Sequence, residues 1–178
     1  MKGTKFQFIF LLFILSLPLI SCKTTENKTT MTTSTESVNI GDKLPLFTIN
    51  TSKGISLSSD KFVGRPTVLV FFHTMCGDCQ RELPIVQDLY DKYGEKVRFI
   101  CISRGQVDED VAAYWEKHNL TLPYSPQIDR EIFLLFATTT IPRIYITDTQ
   151  NIVKDIFIET FELDRLRNAV ENAAMQCK

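Results

Sequence analysis

The sequence predicts an α/β domain, and three observations carry the prediction. Two uninterrupted apolar runs, Thr67 to Phe72 and Val97 to Ser103, have the β-branched and aromatic content of strands covered on both faces. Segments with helical periodicity follow each of them. A pair of adjacent strands and a last helix close the chain, which completes a layered strand–helix pattern.

Taken in order, Leu46 to Asn50 reads as a strand, Ser52-Lys53-Gly54 as a turn, and Ile55-Ser56-Leu57 as a second short strand. Asp60 to Gly64 reads as a brief helical turn closed by glycine. The Thr67 to Phe72 strand is followed by a helix from about Gly77 to Tyr93, with Gly94 as its stop. After the strand at Val97 to Ser103, Val111, Tyr114 and Trp115 recur at helical spacing within Asp108 to His118, as core packing. Ile132, Phe133 and Phe136 place another helix over Asp129 to Ala137. Ile144 to Thr147 and Ile152 to Ile158 are strands joined by a turn at Asp148 to Asn151. A helix from about Glu162 to Gln176 ends the chain.

Size and charge narrow the function. The 178 residues, 44% hydrophobic and 23% charged, make one ordinary domain. A formal charge of -1 gives no electrostatic case for binding nucleic acid or for a polybasic membrane surface. Five cysteines are too few for a disulfide-stapled mini-domain, and their odd number leaves at least one free, modified or paired with another molecule.

The beginning of the chain reads as an address. Lys2 and Lys5 precede an apolar run from Phe6 to Ile20 that has the length of a signal-peptide core and falls short of a comfortable span. Leu19-Ile20-Ser21-Cys22 then resembles the lipobox of bacterial lipoproteins, which implies a signal peptide over 1–21 and acylation of Cys22. Two or more acyl chains anchor a protein stably, at about 0.8 kcal/mol per buried methylene. An ordinary secretory signal and an uncleaved anchor are the competing readings. Residues 22–39 read as the lipidated cysteine and a flexible Thr/Ser-rich tether, since nine of the fifteen residues from Lys23 to Ser37 are Thr or Ser. Residues 40–178 are then the folded domain.

The chemistry falls between the first long strand and the first long helix, in His73-Thr74-Met75-Cys76-Gly77-Asp78-Cys79-Gln80-Arg81-Glu82-Leu83-Pro84. Helix N-termini present unpaired N–H groups and partial positive charge, which stabilise a thiolate at Cys76. Cys79 lies one turn on, close enough to form a disulfide with it and more buried. Cys76 is thus the expected attacking thiolate and Cys79 the resolving thiol. A zinc site is the competing use of C-x-x-C, but it needs two more ligands, and no second C-x-x-C exists. We therefore expect no metal and no cofactor, the cysteine pair being the redox centre.

This stretch resembles the thioredoxin fold and, within it, the TlpA/ResA-like group of membrane-anchored thiol–disulfide oxidoreductases, over about Ile40 to Cys177. Pro84 matches the helix-kinking proline of that group and Glu82 an active-site glutamate. Ile141-Pro142 matches the Ile-Pro before an antiparallel strand, and Gly41 to Phe47 the start of an N-terminal hairpin. The resemblance implies a central mixed sheet flanked by helices with an N-terminal β-hairpin extension. It also implies a cis Pro142 facing the cysteines, and client peptides pairing with the backbone of Ile141. Met75 stands where Trp is usual, Val70 where some members carry a buried acid, and Arg143 where Thr is common.

Individual residues keep two readings. Glu82 is either a solvated helix residue or an acceptor for the proton of the resolving thiol. Arg143 is either a surface charge or a cation near Cys76 that favours its thiolate, against which Asp78 acts as a like charge. His73 reads as a strand-end polar residue, Cys101 as a buried small hydrophobe and Cys177 as a free thiol, with a Cys101–Cys177 bridge left open. The resulting expectation is an exported, lipid-anchored oxidoreductase in the cell envelope, facing the periplasm. Its partners are protein clients with disulfides or thiols and a membrane electron donor. By analogy it is a reductase, with cytochrome c maturation as one role. A peroxiredoxin-like peroxidase is the enzymatic alternative; it wants Thr three residues before the cysteine, where His73 stands. A non-catalytic, partner-binding lipoprotein and a zinc-binding module are the others.

Overall fold

The computed structural model describes residues 37–160 and 162–176. The expected signal peptide, Cys22, the tether as far as residue 36, and Cys177 lie outside the described residues. Packing is already present at Val38, ahead of the expected Ile40. Val38 is buried, and the N–H groups of Ser37 and Val38 both donate to the Phe136 carbonyl.

Two short strands come first, β1 (Thr48–Asn50) and β2 (Ser56–Ser58), paired antiparallel as a hairpin. A 3-10 turn at Ser59–Phe62 drives Phe62 into the core. Then follow β3 (Thr67–Phe72), α1 (Gly77–Tyr93), β4 (Arg98–Ser103), α2 (Asp108–Lys117), β5 (Tyr124–Ser125), α3 (Glu131–Leu134), β6 (Arg143–Thr147), β7 (Val153–Ile158) and α4 (Leu163–Met175). The main sheet is mixed and five-stranded, in the order β5-β4-β3-β6-β7. β3 is buried along its whole length, which is why its sequence lacks the polar alternation of a one-sided strand.

Helix α1 buries Cys79, Leu83, Val86 and Gln87, one stripe at helical spacing, and carries Pro84 inside it. It ends at Gly94, where a Cβ would stand 2.6 Å from the Tyr90 carbonyl oxygen, so no side chain fits. Two elements differ from the sequence expectation. The helix expected over Asp129 to Ala137 shrinks to the single turn α3, because Phe133 and Phe136 are drawn into an aromatic cluster with Phe71 and Tyr145. β5 is a two-residue strand, made by parallel pairing of Tyr124 and Ser125 with Cys101 and Ile102.

Strand direction fixes where function gathers. β3 and β4 run parallel, with Phe72 opposite Ser103, while β6 runs antiparallel to β3, with Phe71 opposite Arg143. The end of β3, the end of β4 and the beginning of β6 therefore meet at one edge of the sheet.

Candidate active site

Three segments leave that shared edge: His73 to Cys76 after β3, Arg104 after β4, and Thr140 to Pro142 before β6. Together His73, Met75, Cys76, Arg104, Thr140 and Ile141 line a groove of about 450 Å³. Grooves outside the carboxyl ends of parallel strands are where α/β folds bind their ligands.

Cys76 is the N-cap of α1, with extended backbone (φ -86°, ψ 116°). Its Sγ accepts the Cys79 N–H at 3.4 Å and lies 3.6 Å from the Ile141 carbonyl oxygen, to which its thiol donates. The sulfur thus takes one of the unpaired amides that every helix N-terminus must satisfy. Cys79 is fully buried beneath it. Burial pushes the Cys79 thiol up, and its hydrogen bond with Cys76 adds to the effect. Both are free thiols, as is the buried Cys101. The half-buried sulfur and the inaccessible one fit attacking and resolving roles in that order.

The loop carrying Cys76 is clamped by amide side chains. Gln106 is buried; its Oε1 accepts the Thr74 N–H at 2.9 Å, and its Nε2 donates to Thr74 Oγ1 at 2.7 Å. Gln80 Nε2 donates to the Thr74 carbonyl at 2.7 Å. His73 Nδ1 accepts the Met75 N–H at 3.1 Å. Burial, and then the charge of Arg104, hold the His73 imidazole below its ordinary value.

The peptide bond between Ile141 and Pro142 is cis, and both residues are buried. Thr140 just before them has φ +59°, a left-handed conformation rare for a β-branched residue, of the kind found at ligand-binding loops. Glu82 sits one turn beyond Cys79 on α1, and burial pushes its carboxyl up. Asp78, the neighbouring like charge, is paired with Arg81. Arg143 lies within β6, 1% exposed, with Nε donating to the Thr140 carbonyl at 3.4 Å. It is Arg104 that stands on the groove wall, and its positive charge reaches both sulfurs. The structure thus gathers Cys76, Cys79, Ile141 and Pro142, sets Glu82 a turn away and Arg143 buried against the Thr140 carbonyl, and adds Arg104, Thr74 and Gln106. Arg104 reaches the groove through the parallel pairing of β4 with β3, one residue past the end of β4. Among the described residues, no group of three or more His, Cys, Asp or Glu is arranged to hold a metal ion.

Fold and cysteine pair together define a thioredoxin-fold thiol–disulfide oxidoreductase. The chain belongs to the AhpC/TSA family, whose model matches residues 40–156. It is similar to the thiol-disulfide oxidoreductase ResA of Oceanobacillus iheyensis, 28% identical over 145 residues, covering 77% of this chain and 74% of that protein. It also resembles ResA of Bacillus thuringiensis subsp. konkukian, 27% identical over 117 residues, covering 65% of this chain and 68% of the relative. Among solved structures, a thioredoxin-family thiol:disulfide interchange protein from Chlorobium tepidum superposes with a TM-score of 0.66 at 20% identity, covering 76% of this chain and 98% of that one.

Proposed function

We propose that this chain reduces disulfides in protein clients of the cell envelope, tethered to a membrane through acylated Cys22. The observation that carries the reading is the N-cap sulfur of Cys76, which accepts the Cys79 amide and faces the Ile141 carbonyl across an accessible groove.

The reaction follows from the placement of the two sulfurs. The Cys76 thiolate attacks one sulfur of a client disulfide; that S–S bond breaks, and the departing client sulfur takes up a proton. A mixed disulfide joins Cys76 to the client, whose chain lies along Ile141. Cys79 then gives up its proton and attacks the Cys76 sulfur. The Cys76–Cys79 disulfide forms, the second client thiol leaves, and two electrons have passed to the client. An outside dithiol donor, at the membrane, restores the pair. Likeness to the thiol-disulfide oxidoreductase ResA supports disulfide exchange; the reductase direction, and the haem-attachment thiols of apocytochrome c as clients, are carried over by analogy with the TlpA/ResA-like group. Glu82, its carboxyl pushed up by burial, serves as acceptor for the Cys79 proton.

Reduction of insulin disulfides tests the reading, with peroxide turnover measured beside it. Insulin reduction should be lost in Cys76→Ser, while Cys79→Ser should accumulate client mixed disulfides on Cys76 that reducing agent releases. Faster turnover of peroxide than of insulin, or no trapped disulfide, counts against it.

A further inference from the structure

We propose that Arg104 is the positioning residue of the exchange reaction: its guanidinium, held on the groove wall beside Cys76, stabilises the thiolate that attacks. The inference rests on the oxidoreductase reading above and names a residue of the same site.

Geometry places it. Phe72 and Ser103 are opposite in the parallel pairing of β3 with β4, and the Arg104 N–H donates to the Phe72 carbonyl at 2.9 Å. The backbone of Arg104 is thereby locked next to the segment that leads to Cys76. Its guanidinium carbon lies 5.2 Å from the centre of the Phe133 ring, which supports the side chain from one side. The residue is half-buried, so its charge is screened less than that of a surface arginine.

Arg104 is the cation that lines the groove with Cys76, while Arg143 is buried at the start of β6 with its Nε donating to the Thr140 carbonyl. From α1, Asp78 is paired with Arg81, and Glu82 sits a turn further along. From the end of β3, His73 is held toward its neutral form. From α2, Asp110 acts on His73, and Tyr114 feels the Cys79 sulfur. Arg130, ahead of α3, shares the Phe133 ring at 5.6 Å and repels Arg104. Among the described residues, no carboxylate forms an ion pair with Arg104. The groups that favour its charged form are the two sulfurs. The same charge offsets part of the burial that pushes the Cys79 thiol up, which eases loss of its proton in the resolving step. No atom is transferred to or from Arg104 in either step.

The test is the pH profile of iodoacetamide alkylation at Cys76, read by mass spectrometry on the reduced full chain. Arg104→Met should slow alkylation at about pH 6.5 by about threefold to tenfold, with the plateau rate above about pH 9 unchanged. Arg104→Lys should restore most of the rate, because it returns the charge without the fork. Arg104→Gln is read in parallel so that one misfolded variant does not decide the outcome. Profiles of folded Met and Gln variants that coincide with wild type overturn the assignment. So does an unchanged profile combined with a raised KM for insulin, which would make Arg104 a client-docking cation. Alkylation needs no client, so wild-type protein that fails to reduce insulin overturns the function and is distinguishable from failure of the Arg104 assignment.

Discussion

Glu82 carries a charge whose cost depends on pH. Burial is the main cause of its raised carboxyl, with Asp78 adding to it and Arg81 opposing. A carboxyl raised on folding holds more protons in the native chain than in the unfolded one. The native state is then penalised as pH climbs from the ordinary carboxylate range through the raised value. Glu82→Gln, which cannot ionise, should therefore raise the urea midpoint at neutral pH and leave it unchanged at about pH 3.5, where both forms are neutral. A wild-type chain that is the more stable of the two at neutral pH would show that Glu82 makes a favourable contact as a carboxylate. At this scale the cysteine pair was legible, because C-x-x-C between a buried strand and a helix has one mechanical meaning. Arg104 was not, since only the pairing of β4 with β3 brings it to Cys76. Arg143 draws attention through its place after Pro142; it is buried, and its Nε donates to the carbonyl of Thr140, which lines the groove.

Elements were legible where the pattern was long. Both bounds of β3 and of α1 follow from the sequence, because a strand buried on both faces and a helix of seventeen residues leave unambiguous signals. β5 escaped because its two residues are strand only through β4, and the chain before it is set by a distant side chain. Gln87 Oε1 accepts the N–H groups of Thr121 and Leu122 at 2.8 and 3.0 Å. α3 was overextended for a related reason. Tertiary packing of Phe133 and Phe136 outweighs helical periodicity, and the segment turns away toward Thr140. Phe136 joins these layers, with its ring 4.8 Å from Phe71, 5.0 Å from Tyr145 and 5.6 Å from Phe47. Its carbonyl receives Ser37, Val38 and the Tyr145 hydroxyl. Phe136→Ala should cost about 3–5 kcal/mol, the range for buried aromatic truncations. A loss below about 1 kcal/mol in urea unfolding would mean that the segment is not part of the cooperative core.

For the molecule as a whole, the question is what holds the groove near its clients. Ser37 and Val38 are tied to the Phe136 carbonyl, on the segment that runs on to Thr140 and Ile141. Among the described residues, no helix is long and apolar enough to cross a membrane. If the chain is anchored through Cys22 as proposed, attachment and catalysis are separable, because the groove residues identified among the described residues run from His73 to Ile141. Cys22→Ala in the full chain should move the protein from the membrane fraction to the soluble one. Insulin reduction per molecule in detergent should stay within about twofold of wild type, since the exchange chemistry belongs to Cys76 and Cys79. Reduction of a client held in the same membrane should fall much further, because tethering supplies effective concentration and not chemistry. A Cys22→Ala protein that stays in the membrane after an alkaline carbonate wash would overturn anchoring by acylated Cys22.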